Sequence, residues 1–207
     1  MKRRLRTAFF FIFAHRMESY FKDRVFGREH FNEEKCLRDT EFENCRFENC
    51  DLGSQDLGGA RFFDCEFKGC DLTLAKLPGT VFSNTVFSAC KMLGLRIEDC
   101  NRTGLDVSFR DCLLDHCSFS GVKLRKSLFT GCRLHEADMR DADFGDTVFD
   151  NCDLDRAIFG NTNLESADLS TSFNFSIEPE ANRLRKARFS RAGLPGLLDK
   201  YKIVVED

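Results

Sequence analysis

The chain of 207 residues has the length of a single domain and carries 31 basic and 34 acidic residues, a net charge of −3. This near balance gives no reason to expect direct binding to nucleic acid. Twenty-three phenylalanines, no tryptophan and three prolines favour a core that is built from one repeated position.

Residues 1–30 are the first predicted segment, an N-terminal extension and cap. Four basic residues among the first six precede the apolar run 8–14, which is the outline of a secretory signal. The run is short for a signal, lacks an Ala-x-Ala cleavage site and is too short to span a bilayer. Three interpretations stay open for residues 1–16: an extension upstream of a native start at Met17, a signal or membrane-surface segment, or part of an ordered cap in which Phe21 and Phe26 cover the first coil.

A period of five residues begins after this segment. From Phe42 to Ile97 a large apolar residue returns at every fifth position, twelve times without a miss, and a mostly small residue such as Cys45 stands two positions before each. Neither a helix nor an ordinary strand has this period. A chain that keeps it must turn the same way after every unit, so the pattern predicts a solenoid whose neighbouring coils bury each other's apolar residues.

Residue identities predict four units in each coil. Positions twenty apart hold like residues, as in Phe42, Phe62 and Phe82, and Cys50 and Cys70 also stand twenty apart. We therefore expect a square cross-section with coils stacked about 4.8 Å apart, the spacing of hydrogen-bonded strands.

The period is interrupted twice. Two extra residues fall within 101–107, which predicts a small loop at one corner, and thirteen further units follow from Phe109 to Leu169. The two runs make about six coils. An excursion at 172–182 contains Pro179, and the period returns at Leu184 and Phe189, so the repeat is predicted to cover 31–191.

The tail at 192–207 has a different character. Residues 194–201 suggest a short helix with Pro195 near its first turn, and the apolar end 203–205 follows. The tail is predicted to cap the C-terminal end of the solenoid.

Five units match a known consensus, A(D/N)Lxx. They are Cys50-Asp51-Leu52, Cys70-Asp71-Leu72, Ala137-Asp138-Met139, Ala142-Asp143-Phe144 and Ala167-Asp168-Leu169. Over roughly residues 31–207 the chain resembles the pentapeptide repeat proteins, and it is similar to their Qnr- and MfpA-type members. The resemblance implies an all-β fold, a right-handed quadrilateral β-helix with a short C-terminal helix. It also implies a homodimer formed end to end through Leu197, Leu198, Tyr201, Ile203, Val204 and Val205.

The chemistry-bearing residues do not favour an enzyme. Ten of the eleven cysteines, all except Cys36, occupy the small inward position, where cysteine acts as a small buried hydrophobe. Reduced thiols indicate a cytoplasmic protein. The sequence contains no Cys-x-x-Cys pair, so a zinc site is not expected. It contains no glycine-rich phosphate loop, and His116 and His135 fall in outward positions. We expect no catalysis, no metal and no cofactor.

Charge gives the main functional signal, because residues 31–207 carry a net charge of −8. Eight outward acids form an acidic belt in one coil: Glu136, Asp138, Asp141, Asp143, Asp146, Asp150, Asp153 and Asp155. The preceding coil is basic.

Two functional interpretations stay open. One is a protein interaction module or scaffold that binds through a flat outer face, where Leu128 and Val148 form a small apolar ladder. The other follows from the resemblance, since Qnr- and MfpA-type proteins mimic duplex DNA and occupy DNA gyrase or topoisomerase IV. The long projecting loop of many Qnr proteins has no counterpart here.

Overall fold

The computed structural model describes residues 19–30 and 37–204. Thirteen short strands follow one another along this part of the chain. They are β1 (Tyr20–Lys22), β2 (Val25–Phe26), β3 (Glu41–Glu43), β4 (Arg46–Glu48), β5 (Arg61–Phe63), β6 (Glu66–Lys68), β7 (Val81–Ser83), β8 (Thr85–Ser88), β9 (Val107–Arg110), β10 (Leu128–Thr130), β11 (Val148–Asp150), β12 (Asp168–Leu169) and β13 (Arg188–Phe189). The helices are short 3-10 segments at Arg28–His30, Ile97–Asp99, Pro179–Ala181, Arg191–Leu197 and Asp199–Tyr201.

The strands stack in parallel into a right-handed quadrilateral β-helix, which confirms the predicted fold class. One face is a four-stranded sheet in the order β1-β3-β5-β7, and the next face is a nine-stranded sheet in the order β13-β12-β11-β10-β9-β8-β6-β4-β2. Isolated parallel bridges such as Asp51↔Asp71 and Asp138↔Ile158 form the other two faces. Phe42 pairs with Phe62, so one coil takes twenty residues, as predicted.

The corners of the coil come from one repeated backbone position. The residue two places after most apolar centres has a positive φ, for example Asn44 (50°), Asn49 (53°) and Gly59 (68°). Asn, Asp and Gly tolerate this left-handed conformation better than other residues. Each such residue turns the chain by one corner, which is why a period of five residues closes a square.

The core consists of stacks of inward side chains along the axis of the solenoid. We call each stack, formed by the same position of successive coils, a file. Phe47 and Phe67 stack with ring centroids 4.4 Å apart, and Phe67 stacks on Phe87 at 4.9 Å. In the small positions, hydroxyls and thiols donate to main-chain carbonyls of the neighbouring coil. Thr80 Oγ1 donates to the Leu57 carbonyl at 2.8 Å, and Cys90 Sγ donates to the Phe67 carbonyl at 3.4 Å. Small polar residues therefore fit this position because it offers both burial and an acceptor.

Ten described cysteines are buried free thiols. Six of them lie in one file on successive coils: Cys50, Cys70, Cys90, Cys112, Cys132 and Cys152. Hydrogen bonds between neighbouring thiols of this file, followed by burial, raise the pKa of Cys90 and Cys132. Burial also raises the pKa of Cys65 to about 12. Cys36 lies outside the described residues.

The stack is longer than the predicted six coils and contains about eight turns. The first level begins at Tyr20, because β1 and β2 pair in register with β3 and β4, whereas the repeat was predicted to start at residue 31. A last level is added by β13, which pairs with β12. Phe21 stacks on Phe42 and the buried Phe26 stacks on Phe47, so two aromatic residues extend the core although they precede the regular period. The segment 1–18 lies outside the described residues.

The two predicted interruptions occupy the expected places. Thr85 pairs with Val107, which is two residues more than one regular coil, so the extra residues lie within 101–107. Leu105 of this loop packs against the core. In the 172–182 excursion, Phe175 and Ile177 are buried, and Ser172 Oγ still donates to the Phe149 carbonyl at 2.8 Å. This excursion is therefore more integrated with the core than the sequence indicated.

Candidate functional site

The acidic belt lies on the coil that follows the basic coil, and its carboxylates have main-chain roles. Asp138, Asp143 and Asp153 each stand one residue before an apolar centre. Their Oδ1 atoms accept the N–H two residues later, with N···O distances of 3.0, 3.1 and 3.3 Å. This is an Asx-turn, in which Asp or Asn closes the local backbone. The same bond joins Asp71 to the N–H of Thr73 in another coil.

Three other belt acids occupy corners. Glu136, Asp141 and Asp146 have φ values of 55°, 59° and 58°. Asp suits this left-handed position, which is more costly for most other side chains. Six of the eight belt acids therefore stand at positions where the solenoid itself uses main-chain turns and corners.

Every belt carboxylate also has a side-chain partner. The pairs and their distances are Arg156–Glu136 (3.0 Å), Arg140–Asp138 (2.6 Å), Asn161–Asp141 (2.8 Å), Arg125–Asp143 (3.4 Å), Arg125–Asp146 (2.6 Å), Thr171–Asp150 (3.0 Å), His135–Asp153 (2.7 Å) and Arg156–Asp155 (3.0 Å). The Arg140 guanidinium lowers the pKa of Asp138 through its hydrogen bonds. Three arginines, Arg125, Arg140 and Arg156, pair with five of the eight carboxylates, so the belt is partly compensated and keeps a net negative charge.

A second candidate surface is the middle of the nine-stranded face. The outward residues of β8 to β11 are Val86, Ser88, Ser108, Arg110, Leu128, Thr130, Val148 and Asp150. Leu128 pairs with Val148 across adjacent strands, and the two side chains are 38% and 37% exposed. Charge is confined to Arg110 and Asp150 along one edge. We call these four strands the low-charge face; the sequence indicated its apolar ladder but not its breadth.

The residues predicted to form a dimer lie at the C-terminal end. Leu197 packs partly against the core, whereas Leu198, Tyr201, Ile203 and Val204 are exposed. Val205 lies outside the described residues. Lys200 Nζ donates to Glu178 and Glu180, and Tyr201 Oη donates to Glu180 at 2.6 Å, so polar bonds hold this end against the excursion.

His116 and His135 have ordinary surface roles. His135 bonds Asp153, and His116 lies 3.5 Å from Glu136. In residues 19–30 and 37–204, no group of three or more His, Cys, Asp or Glu side chains is placed to hold a metal ion. No helix of that same part of the chain has the length and apolar character needed to cross a bilayer.

These features define a parallel β-solenoid in which the scaffold is repetitive and the outward side chains vary. The family described as Pentapeptide repeat region matches residues 60–139, and Pentapeptide repeats (8 copies) match residues 36–73 and 132–170. Together the matches cover more than half of the sequence, and the chain belongs to the pentapeptide repeat family. Among curated proteins, none matches this sequence significantly.

Solved structures of QnrB1 share the fold. Two trypsin-treated variants of QnrB1, a plasmid-mediated fluoroquinolone resistance protein, match at 18% identity with TM-scores of 0.60 and 0.59. The matches cover 91% and 90% of this chain and 99% and 97% of the QnrB1 chains. HetL, involved in heterocyst differentiation regulation in the cyanobacterium Nostoc sp. strain PCC 7120, matches at 14% identity with a TM-score of 0.36, over 84% of each chain. At 18% identity the likeness to QnrB1 concerns the fold alone.

Proposed function

We propose that this protein is a non-enzymatic interaction module that binds a protein partner through the low-charge face. The observation that carries the proposal is the flat surface of β8 to β11, where Leu128 and Val148 stand side by side and charge is confined to one edge. Depletion of charge with exposed apolar residues at the centre is typical of the core of protein interfaces. We further propose that the protein works in the cytoplasm without a cofactor, since its described thiols are free and buried.

The test is capture of partners from a lysate with Leu128→Asp/Val148→Asp as the face variant. Leu74→Asp/Ile158→Asp is the matched control, because Leu74 and Ile158 are exposed apolar residues that lie outside the two sheets. A protein retained by the wild type and the control but lost with the face variant supports the proposal. A partner set that is the same for all three proteins overturns it.

The alternative function is modulation of DNA gyrase or topoisomerase IV by mimicry of duplex DNA. The acidic belt and the fold shared with a fluoroquinolone resistance protein favour it. The ion pairs that three arginines make with five of the eight belt acids weigh against it, because a DNA mimic must present uncompensated negative charge to a surface that binds phosphates.

A supercoiling assay with purified gyrase, with and without a fluoroquinolone, tests this alternative. The informative variant changes Asp138, Asp141, Asp143 and Asp146 to Asn, since Asn keeps both the Asx-turn and the corner conformation. Inhibition or drug protection that weakens with salt and disappears in this variant supports mimicry. If micromolar protein changes neither gyrase supercoiling nor its inhibition by the drug, the DNA-mimic function is excluded.

We also propose that two copies pair end to end through Leu197, Leu198, Tyr201, Ile203, Val204 and Val205. Exposure of Ile203 (55%) and Val204 (86%) at the end of the rod supports this, because exposed apolar ends favour association. Light scattering coupled to size exclusion tests it. A dimer that becomes a monomer with Leu198→Glu/Ile203→Glu supports the pairing, and a monomeric wild type overturns it.

A further inference from the structure

The last coil of the solenoid carries a basic collar, formed by Arg183, Arg185, Lys186, Arg188 and Arg191. All five side chains are exposed, and the stretch 182–191 contains no acidic residue. Arg183 and Arg185 flank Leu184 on one face, Lys186 stands at the corner with a φ of 61°, and Arg188 begins β13 on the next face. The collar therefore wraps around a convex edge of the rod.

Four of the five cations of the collar have no ion-pair partner among the described residues. In the described part of the chain only Arg188 has an ion-pair partner, Asp168 at 2.8 Å; Arg183, Arg185, Lys186 and Arg191 have none. The following 3-10 helix, Arg191–Leu197, supplies no acid in its first turn. In the preceding coil, Glu165 is the acid that stands next to this face.

A coil in the middle of the rod carries cations at the same positions as the collar. Parallel bridges connect Lys123 to Asp143, Asp143 to Asn163, and Asn163 to Arg183, so Lys123 and Arg183 occupy the same position three coils apart. Lys123, Arg125 and Lys126 thus correspond to Arg183, Arg185 and Lys186. Arg125 bonds Asp143 and Asp146 of the next coil, whereas Arg185 meets no such acids. The arginine of this pattern is therefore paired in the middle of the rod, as Arg125, and has no ion pair within the described chain at the end of the rod, as Arg185.

We propose that the basic collar binds the phosphate backbone of a nucleic acid. Four of its five cations are arginines, whose planar fork donates two hydrogen bonds to a phosphate and stays charged at any physiological pH. Arg183 and Arg185 stand on either side of Leu184, so each can meet a separate phosphate. Without the five collar cations, residues 31–207 hold 18 basic and 31 acidic residues, a net charge of −13, which repels nucleic acid from the rest of the solenoid.

The collar binds phosphates and not bases, so its affinity depends strongly on the salt concentration and little on the sequence of the nucleic acid. With four phosphates engaged, log K falls with log salt at a slope of about −3.6, so binding weakens roughly 100-fold between 50 and 200 mM salt. A protein partner would not show this slope for unrelated sequences, and binding to lipid vesicles is measured separately.

The experiment measures fluorescence anisotropy of labelled 20-nucleotide single strands and 20-base-pair duplexes of two unrelated sequences, titrated with the full chain at four salt concentrations. The collar variant is Arg183→Gln/Lys186→Gln. The matched control is Lys123→Gln/Lys126→Gln, which removes the same charge from the same positions three coils away. Circular dichroism verifies that both variants keep the fold.

Binding by the wild type and the control, with the collar variant at least tenfold weaker and its slope smaller by about two, supports the proposal. Absence of binding at 50 mM salt overturns it, and so does equal weakening by both variants. Vesicles containing one third phosphatidylserine are a parallel arm: binding to vesicles without binding to either nucleic acid also overturns it. The collar lies outside the low-charge face, so either result leaves the proposed protein interaction untouched.

Discussion

The Asx-turn of Asp143 provides the most direct test of whether the acidic belt serves the fold. Its carboxylate accepts hydrogen bonds from the Gly145 N–H at 3.1 Å, from Asn163 Nδ2 at 2.6 Å and from Arg125 Nη1 at 3.4 Å. Asn163 is only 4% exposed, so Asp143→Ala leaves a buried amide without this acceptor. Asp143→Asn keeps a carbonyl oxygen for Gly145 and Asn163 and loses only the charge facing Arg125, which still bonds Asp146 at 2.6 Å.

The magnitudes separate the two variants. An unsatisfied buried polar group costs about 1–3 kcal/mol and a lost hydrogen bond about 1 kcal/mol, so Asp143→Ala should lower the unfolding free energy by about 2–3 kcal/mol. For a chain of 150–250 residues this corresponds to a drop in Tm of roughly 4–12 °C. Asp143→Asn removes a partly exposed ion pair and should cost less than about 1 kcal/mol.

Thermal unfolding followed by far-ultraviolet circular dichroism measures both changes. Asp150→Ala is the control, because its carboxylate accepts from the exposed Thr171 hydroxyl and its loss should cost less than about 0.5 kcal/mol. Equal destabilisation by Ala and Asn at position 143 would show that charge dominates and would refute the structural role. A neutral Asp143→Ala would refute it as well.

Three further predictions follow from the core, the corners and the C-terminal end. Phe67→Ala removes a fully buried ring between Phe47 and Phe87 and should cost about 3–5 kcal/mol, measured by urea unfolding; a loss below 1 kcal/mol would contradict the stacked core. Asp141→Val should cost about 1–2 kcal/mol because its φ is 59°, while Asp141→Gly stays near neutral in the same assay; the reverse order would refute the corner argument. Hydrogen bonds from Lys200 and then Tyr201 lower the pKa of Glu180 to about 2 from 4.5, so these contacts are complete above pH 4.5 and are lost as pH falls toward 2. The NMR shifts of the Tyr201 ring should follow this titration and lose it in Glu180→Gln.

The sequence predicts the scaffold well because its signal is repeated many times. A single unit such as 50–54 says little, but the return of a large apolar residue at every fifth position leaves one architecture, and the twenty-residue identity between Phe42 and Phe62 sets the coil. The two-residue insertion within 101–107 is located because the apolar positions Ile97 and Phe109 are twelve residues apart, where the period requires ten. The count of coils was too low, because Phe21 and Phe26 join the stack without a regular period before them.

The role of the surface acids was harder to predict, because an aspartate can stand at a position either for its backbone conformation or for its negative charge. Asp141 suits a left-handed corner and Asp143 closes an Asx-turn, yet both also read as negative charge in a composition count. Some acids meet a cation that stands eighteen to twenty-one positions away, as Asp143 and Asp146 meet Arg125. Knowing the coil length of twenty, one can derive these pairings from the sequence, and the unpaired cations at 183–186 become visible in the same way.

The twenty-residue coil also makes the molecule modular. Each position in a coil meets the same position in the coils on either side, as in the run of bridges from Lys123 to Arg183. Removing one whole coil, such as residues 128–147, therefore joins two ends that fit each other, whereas removing five residues rotates every later file by one face and sets Phe against Leu throughout the core. The length of this protein can therefore change in steps of one coil while the core contacts stay the same. A set of outward residues can likewise be transferred from one coil to the equivalent positions of another.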